Sequence, residues 1–145
     1  QNCKKERKVM INYKDNFEES RYFHIMIRGI AKQIIFEDNC DNRYFLVLLQ
    51  KYSIKHNVKV ICYCLMYNHV HIVCQDFDEN ISQFMSDLCA TYARYFNHKY
   101  ERCGSLFQRP YKKKHINNEA YLMQVFHYVI RNPEKDGICP YQKYN

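Results

Sequence analysis

The sequence predicts an α+β fold in a single domain. Its 145 residues are 47% hydrophobic, which is enough for one core, and only three glycines and three prolines leave little room for a linker. Strand and helix patterns follow one another in the order β-α-β-β-α-β-α. This is the ferredoxin-like βαββαβ order with an added C-terminal helix. It places the first and third strands at the centre of an antiparallel sheet.

The first strand and the first helix follow from residue patterning. Residues 21–30 are rich in β-branched and aromatic side chains and reach Gly29, which predicts a strand. Residues 36–57 predict a helix, with Asp41 as the expected N-cap. Its apolar residues recur at helical spacing: Phe45, Leu48, Leu49 and Tyr52.

The second and third strands form a predicted hairpin, which a helix follows. Residues 58–67 and 69–76 both have strand patterning, and Asn68 between them suits a tight turn. Residues 80–101 then predict the second helix. Its apolar residues lie along one side: Ile81, Phe84, Leu88, Tyr92 and Tyr95.

The last two elements are a basic segment and a third helix. Residues 106–116 predict a strand or an extended stretch that is rich in lysine and arginine. Residues 117–133 predict a helix that Asn118 caps and Pro133 ends, because proline disfavours helical dihedrals in the residue before it.

Charge and composition narrow the classes of partner. The net charge of +7 favours a polyanion, of which nucleic acid is the usual one. Residues 1–20 predict a basic arm without the apolar stretch of a signal peptide, and residues 21–145 predict one domain. No run of about 18 apolar residues occurs, so we expect a cytoplasmic protein without a membrane span.

The eight cysteines do not form a C-x-x-C pair, which is the usual zinc spacing. Cys62, Cys64 and Cys74 lie in strand patterns, and Cys89 lies on the apolar side of a helix. Without a secretion signal, we interpret them as free, buried thiols in a reducing cytoplasm.

Two histidines in the third strand are the first candidate site. His69 and His71 are separated by one residue, so both side chains project from the same face of the strand. Two neutral imidazoles at this spacing can reach one small cation. The alternative is that both are solvent-facing or satisfied by hydrogen bonds. We expect His24, in the first strand, in the core or behind the ligands, not as a ligand itself.

The third helix supplies the second half of the candidate site. Tyr128 and Asn132 are four residues apart and therefore share one helical face. If that face packs over the histidines, a cation, an amide ligand and a phenol come together. A cation on a phosphate oxygen allows a tyrosine to attack phosphorus and form a covalent phosphotyrosine.

Basic and aromatic residues predict contacts with DNA. Lysines and arginines bind phosphates with little sequence preference, and a tyrosine can stack on an unpaired base. The candidates are Arg28, Arg94, Arg102, Arg109, Tyr111, Lys112, Lys113 and Lys114.

Several stretches, in order, resemble the single-tyrosine HUH transposases, the insertion-sequence transposases related to REP-associated tyrosine transposases. The stretches are "YFHIMIRGI", "IFEDNCDNRYFLVLL", "CLMYNHVHIV", "YERCGSLFQRPYKKK" and "YLMQVFHYVIRNPEKDGI". The resemblance covers about residues 22–138. The chain departs from the family's common pattern at Tyr67, Ser105 and Pro110, outside the proposed metal and tyrosine set.

The resemblance implies a role for each matching residue. Tyr128 would be the nucleophile, and His69, His71 and Asn132 would hold Mg²⁺ or Mn²⁺. The partner would be single-stranded DNA with hairpin or repeat elements. The family contains monomers as well as dimers that share active sites, so a homodimer stays one alternative.

Two other functions remain open from the sequence. One is a catalytically inactive or domesticated single-stranded nucleic-acid-binding protein on the same scaffold. The other is a structural zinc domain that uses Cys62, Cys64 and the histidines.

Overall fold

The computed structural model describes residues 21–135, with side chains up to residue 131. The predicted basic arm and the last ten residues lie outside this range. The element order is confirmed: β1 (Tyr22–Arg28), α1 (Asn39–Lys55), β2 (Lys59–Met66), β3 (His69–Gln75), α2 (Ile81–Lys99), β4 (Lys112–Ile116) and α3 (Glu119–Lys135). A single 3₁₀ turn, Ile30–Lys32, follows β1.

The four strands form one antiparallel sheet in the order β2-β3-β1-β4. The prediction that β1 and β3 are central is therefore confirmed. Arg28 pairs with His69 and Met26 pairs with His71 across these two strands. The histidine pair consequently lies in the middle of the sheet.

The two faces of the sheet carry separate hydrophobic clusters. Alternate residues of β1 and β3, such as Ile25 and Ile72, pack with α1 and α2. The opposite face packs against α3, and its buried residues are Tyr22, Cys64, Met66, Val73, Ile116, Leu122, Val125 and Val129. Because side chains alternate along a strand, His69 and His71 share this second face with Val73.

The N-cap of helix α1 lies about one turn earlier in the sequence than predicted. The N-cap is Asp38, not Asp41, and it accepts a 2.9 Å hydrogen bond from the backbone N–H of Asp41. Asp41 is the third helical residue and accepts in return from the backbone N–H groups of Glu37 and Asp38. The prediction was wrong because two aspartates at this spacing form a reciprocal capping box, in which the first is the cap.

Asp41 also links α1 to α2. Its fully buried carboxylate accepts hydrogen bonds from the Tyr95 and Tyr100 hydroxyls and from the Lys99 ammonium, at 2.8, 2.6 and 2.8 Å. Burial alone would raise its pKa, but these donors together lower the pKa of Asp41 to about 2. The carboxylate therefore stays charged and holds the two helices together.

The third helix begins as predicted but ends later. Asn118 caps it, since its side-chain oxygen accepts a 2.7 Å hydrogen bond from the Tyr121 N–H. The prediction that Pro133 ends the helix is wrong, because α3 continues to Lys135. A proline two residues before the end of a helix disturbs only the last turns of its hydrogen-bond ladder.

The basic segment is a strand only in its second half. β4 spans Lys112–Ile116, and before it Phe107 forms a single bridge with Gly29. Pro110 lies between these two pairings and has no N–H to donate to a ladder.

The six cysteines between residues 21 and 131 are free thiols, as predicted, but only Cys64 and Cys74 are fully buried. Cys40 and Cys103 are exposed. None of the helices in the described part is long and apolar enough to cross a membrane.

Candidate active site

The two predicted histidines lie side by side on the α3 face of the sheet. Their ring centroids are 5.0 Å apart and the ring planes are nearly perpendicular, at 85°. Both rings are largely buried, with 9% of His69 and 3% of His71 exposed. The structure thus confirms that they share a face, while their role as ligands stays a prediction.

The β2–β3 turn orients His69. Its Nδ1 lies 2.7 Å from the side-chain oxygen of Asn68, which acts as an acceptor. The backbone carbonyl of Asn68 accepts a 2.9 Å hydrogen bond from the Gly29 N–H, and this bond holds Asn68 in place. A side chain at Gly29 would not fit, since a Cβ there would come within 2.2 Å of the Gln33 carbonyl oxygen.

His71 contacts a third histidine. The Nε2 of His24 lies 2.9 Å from the Nδ1 of His71. Burial, above all, lowers the pKa of the His71 imidazole to about 3, and the neighbouring His24, His69 and Arg28 add to this effect. Burial, followed by Lys114, also lowers the pKa of His24. The His71 imidazole is therefore neutral at pH 7, as a metal ligand must be.

Helix α3 brings Tyr128 over this cluster. Val125 and Val129 are buried against the sheet and fix the orientation of the helix. The Tyr128 ring lies 5.5 Å from the His71 ring and 6.5 Å from the His24 ring, centroid to centroid. Because the tyrosine is 42% exposed, it faces both the histidines and the solvent from which DNA would approach.

Asn132 lies on the same helix, one turn beyond Tyr128. Its side chain is outside the part of the chain that the structure describes. Its predicted role as the third ligand therefore stays a prediction.

Arg28 ends β1 next to the cluster. It pairs with His69 in the sheet, and its charge acts on His71. Its Nε is buried and has no hydrogen-bond partner among the described residues. A buried guanidinium donor of this kind suits an anionic ligand such as a phosphate.

The lysines of β4 lie on both faces of the sheet. Lys112 and Lys114 pair with Met26 and His24 and therefore share the histidine face. The Lys114 ammonium lies 5.0 Å from the centre of the Tyr121 ring on α3. Lys113 points to the opposite face, 5.3 Å from the centre of the Phe23 ring.

Four other predicted DNA contacts lie away from the histidines. Arg94 is on α2, which packs on the opposite sheet face. Arg102 donates to the side-chain oxygens of Asn97 and Gln33, at 2.6 and 2.5 Å, and so ties α2 to the loop after β1. Arg109 and Tyr111 line a cavity of about 290 Å³ between β1 and α2.

The metal hypotheses can be compared with the donors present. Within residues 21–131, no three His, Cys, Asp or Glu side chains converge on one point as a metal cluster would. This gives no support to a zinc domain built on Cys62, Cys64 and the histidines. The predicted set of two imidazoles and one amide oxygen stays open, because an amide is none of these four residue types and the Asn132 side chain lies outside the described part of the chain.

The donor chemistry of the histidines fits a divalent cation. The Asn68 side-chain oxygen can only accept, so the Nδ1 of His69 is the donor, and in the neutral ring this leaves the lone pair on Nε2. The buried, neutral His71 offers a second nitrogen. Neither contact was predicted from the sequence. The His24–His71 contact depends on the register of β1 and β3, and the Asn68–His69 contact depends on the dihedrals of the turn.

Comparison with known proteins identifies the family. Residues 18–132 match the family described as "Transposase IS200 like". The chain belongs to this family. Membership supports a transposase function, that is, an enzyme that cuts and rejoins DNA.

Two solved structures share the fold of this transposase. The REP-associated tyrosine transposase, solved bound to a REP hairpin, has 14% identity and a TM-score of 0.63 over 81% of this chain and 68% of its own. A candidate transposase from Deinococcus radiodurans has 15% identity and a TM-score of 0.53 over 76% of this chain and 88% of its own. A comparison with the curated proteins finds no significant match.

Proposed function

We propose that this transposase is a metal-dependent HUH single-strand DNA endonuclease and strand transferase that acts through a covalent 5′-phosphotyrosine. The observation that carries the proposal is the position of Tyr128, half-exposed on α3 and 5.5 Å from the His71 ring. A solvent-accessible phenol beside two buried imidazoles combines a nucleophile with a place for a cation.

The chemistry needs no water and no nucleotide cofactor. The phenolic oxygen of Tyr128 attacks the phosphorus and loses its proton. As the new oxygen–phosphorus bond forms, the bond to the 3′ oxygen breaks, and that oxygen leaves as a 3′-hydroxyl. The 5′ phosphate stays on the tyrosine until a free 3′-hydroxyl attacks it and reseals the strand.

His69 and His71 would hold the metal, together with Asn132. Members of this family are generally metal-dependent, and Mg²⁺ or Mn²⁺ is the ion that we propose. A bound ion would draw negative charge from the non-bridging oxygens of the scissile phosphate. Arg28 would bind the same phosphate, since its buried Nε lies beside the pair.

The proposed substrate is single-stranded DNA that carries a hairpin. The REP-associated transposase with the same fold was solved with a REP hairpin, which supports this choice. Lys112 and Lys114 would bind the phosphates that lead to the site, because both lie on the histidine face of β4.

A denaturing gel tests the covalent step. Labelled single-stranded DNA that contains the repeats flanking the gene is incubated with the protein and Mn²⁺. We expect a protein-linked product that disappears on chelation and in Tyr128→Phe. Tyr121→Phe is the matched control, since this tyrosine lies on the same helix but contacts Lys114; it should retain the product.

The alternative function predicts a different result. If the unsubstituted protein and Tyr128→Phe bind the hairpin equally and neither becomes linked to it, the chain is a silent DNA-binding protein. In that case Tyr67, Ser105 and Pro110 are the first residues to revert to the family pattern.

A further inference from the structure

We propose that His24 is a positioning residue for the metal site: it accepts the Nδ1–H of His71 and so directs the Nε2 lone pair of His71 to the cation. The proposal rests on the metal-dependent function proposed above. It concerns a residue that the metal would not touch, on a different strand from the ligands.

The contact is a nitrogen-to-nitrogen hydrogen bond. The Nε2 of His24 and the Nδ1 of His71 are 2.9 Å apart, within the usual range. The ring planes differ by only 23° and the centroids are 5.1 Å apart. Because the nitrogens are only 2.9 Å apart while the ring centres are 5.1 Å apart, each nitrogen lies near the line that joins the ring centres, and the two nitrogens point at each other.

Such a contact allows two proton arrangements. In one, His24 donates from Nε2, and His71 then has its proton on Nε2 and cannot ligate there. In the other, His71 donates from Nδ1 and keeps a lone pair on Nε2. Only the second arrangement is compatible with a metal bound at Nε2, so a metal site selects His24 as the acceptor.

The other histidine has the same arrangement. The Nδ1 of His69 donates to the side-chain oxygen of Asn68, which places its lone pair on Nε2. Both imidazoles thus have an acceptor at Nδ1, one an amide oxygen and the other a histidine nitrogen. An acceptor behind each ligating imidazole fixes its tautomer and ring orientation and raises its basicity.

Two substitutions of His24 distinguish the effect of losing the hydrogen-bond acceptor from the effect of losing the ring. His24→Phe keeps a flat ring but removes the acceptor, and His24→Gln keeps an oxygen that can accept from Nδ1. We expect His24→Phe to weaken Mn²⁺ binding by about 10–100-fold. His24→Gln should restore most of the affinity.

The binding of Mn²⁺ to each full-length variant is measured by titration calorimetry and by the electron paramagnetic resonance of the free ion. Thermal unfolding of each variant serves as the control for folding. Equal Mn²⁺ affinities in the unsubstituted protein and His24→Phe would overturn the proposal.

A tautomer measurement does not depend on any variant. In the metal-free protein, nitrogen-15 NMR of the histidine rings should show His71 protonated on Nδ1. Protonation of His71 on Nε2 would overturn the role of His24. If the unsubstituted protein binds no Mn²⁺ at all, the metal dependence of the proposed function fails as well, which distinguishes the two failures.

Discussion

The residues around the histidine pair form a small, mostly buried polar cluster at the centre of the sheet. Each of the paired histidines has its Nδ1 occupied by a neighbour, and Arg28 approaches from the adjacent strand. The Arg28 Nε is buried without a partner among residues 21–131, and such a donor is costly unless a ligand pairs with it. This arrangement supports the phosphate contact that we propose for Arg28.

Arg28 gives the first prediction at this scale. Arg28→Gln should reduce DNA cleavage about 100-fold, because it removes a positive charge from the scissile phosphate. The melting temperature should not fall, since the Arg28 Nε has no partner to lose in the described part of the chain. Single-turnover cleavage and thermal unfolding measure the two effects.

Arg94→Gln is the matched control, an arginine on α2 and on the other face of the sheet. Equal cleavage by Arg28→Gln and the unsubstituted protein would refute the role of Arg28.

Single residues also show which contacts could be predicted from the sequence and which could not. His69 and His71 were predictable as a pair because the period of a strand is two. The partner of His71 was not, since His24 lies diagonally across from it and the diagonal depends on the register of β1 and β3. Asn68 was expected to form a turn, and its contact with His69 follows only from the dihedrals of that turn.

At the scale of elements, the junction of α1 and α2 determines how firmly one face of the sheet is covered. Asp41 is buried at this junction and accepts from groups on both sides. The sequence identified it as a capping residue but not as the second member of a capping box. Its contacts with α2 are formed by residues more than fifty positions away, which no local pattern reveals.

Asp41 predicts how stability depends on pH. Its folded pKa of about 2 is below the ordinary value of 3.8, so the unfolded chain takes up the proton first as the pH falls. The stabilisation is complete above pH 3.8 and is lost as the pH falls to about 2. A shift of this size corresponds to roughly 2 kcal/mol.

Asp41→Asn should accordingly lower the free energy of unfolding at pH 7 by about 2 kcal/mol and flatten its pH dependence between pH 4 and 2. Urea titrations across this pH range test this. Asp78→Asn, a substitution in the loop before α2, is the control. An unchanged slope in Asp41→Asn would show that other carboxylates cause the acid sensitivity.

At the scale of the whole molecule, one edge of the sheet carries a concentration of positive charge. The formal net charge is +7, and three consecutive lysines lie on the edge strand β4. The overall fold was predictable because the order of strands and helices alone limits the topology. How the lysines divide between the two faces follows from the pairing of β4 with β1.

This division predicts unequal effects on DNA binding. Lys114→Ala should weaken binding of the hairpin DNA and reduce the slope of log affinity against log salt concentration by about 0.7. Lys113→Ala, which removes a lysine on the opposite face, should have a smaller effect on the affinity and on the slope. Fluorescence anisotropy at several salt concentrations measures these quantities, and equal effects would place the DNA on both faces.

The most direct test of the covalent mechanism locates the bond itself. The protein is incubated with single-stranded hairpin DNA and Mn²⁺, the DNA is trimmed with nucleases, and the peptides are sequenced by tandem mass spectrometry. We predict a nucleotide adduct on Tyr128, with a phosphate between the phenolic oxygen and the 5′ carbon. An adduct on another residue, or cleaved DNA without any adduct, would contradict the role of Tyr128 as the nucleophile.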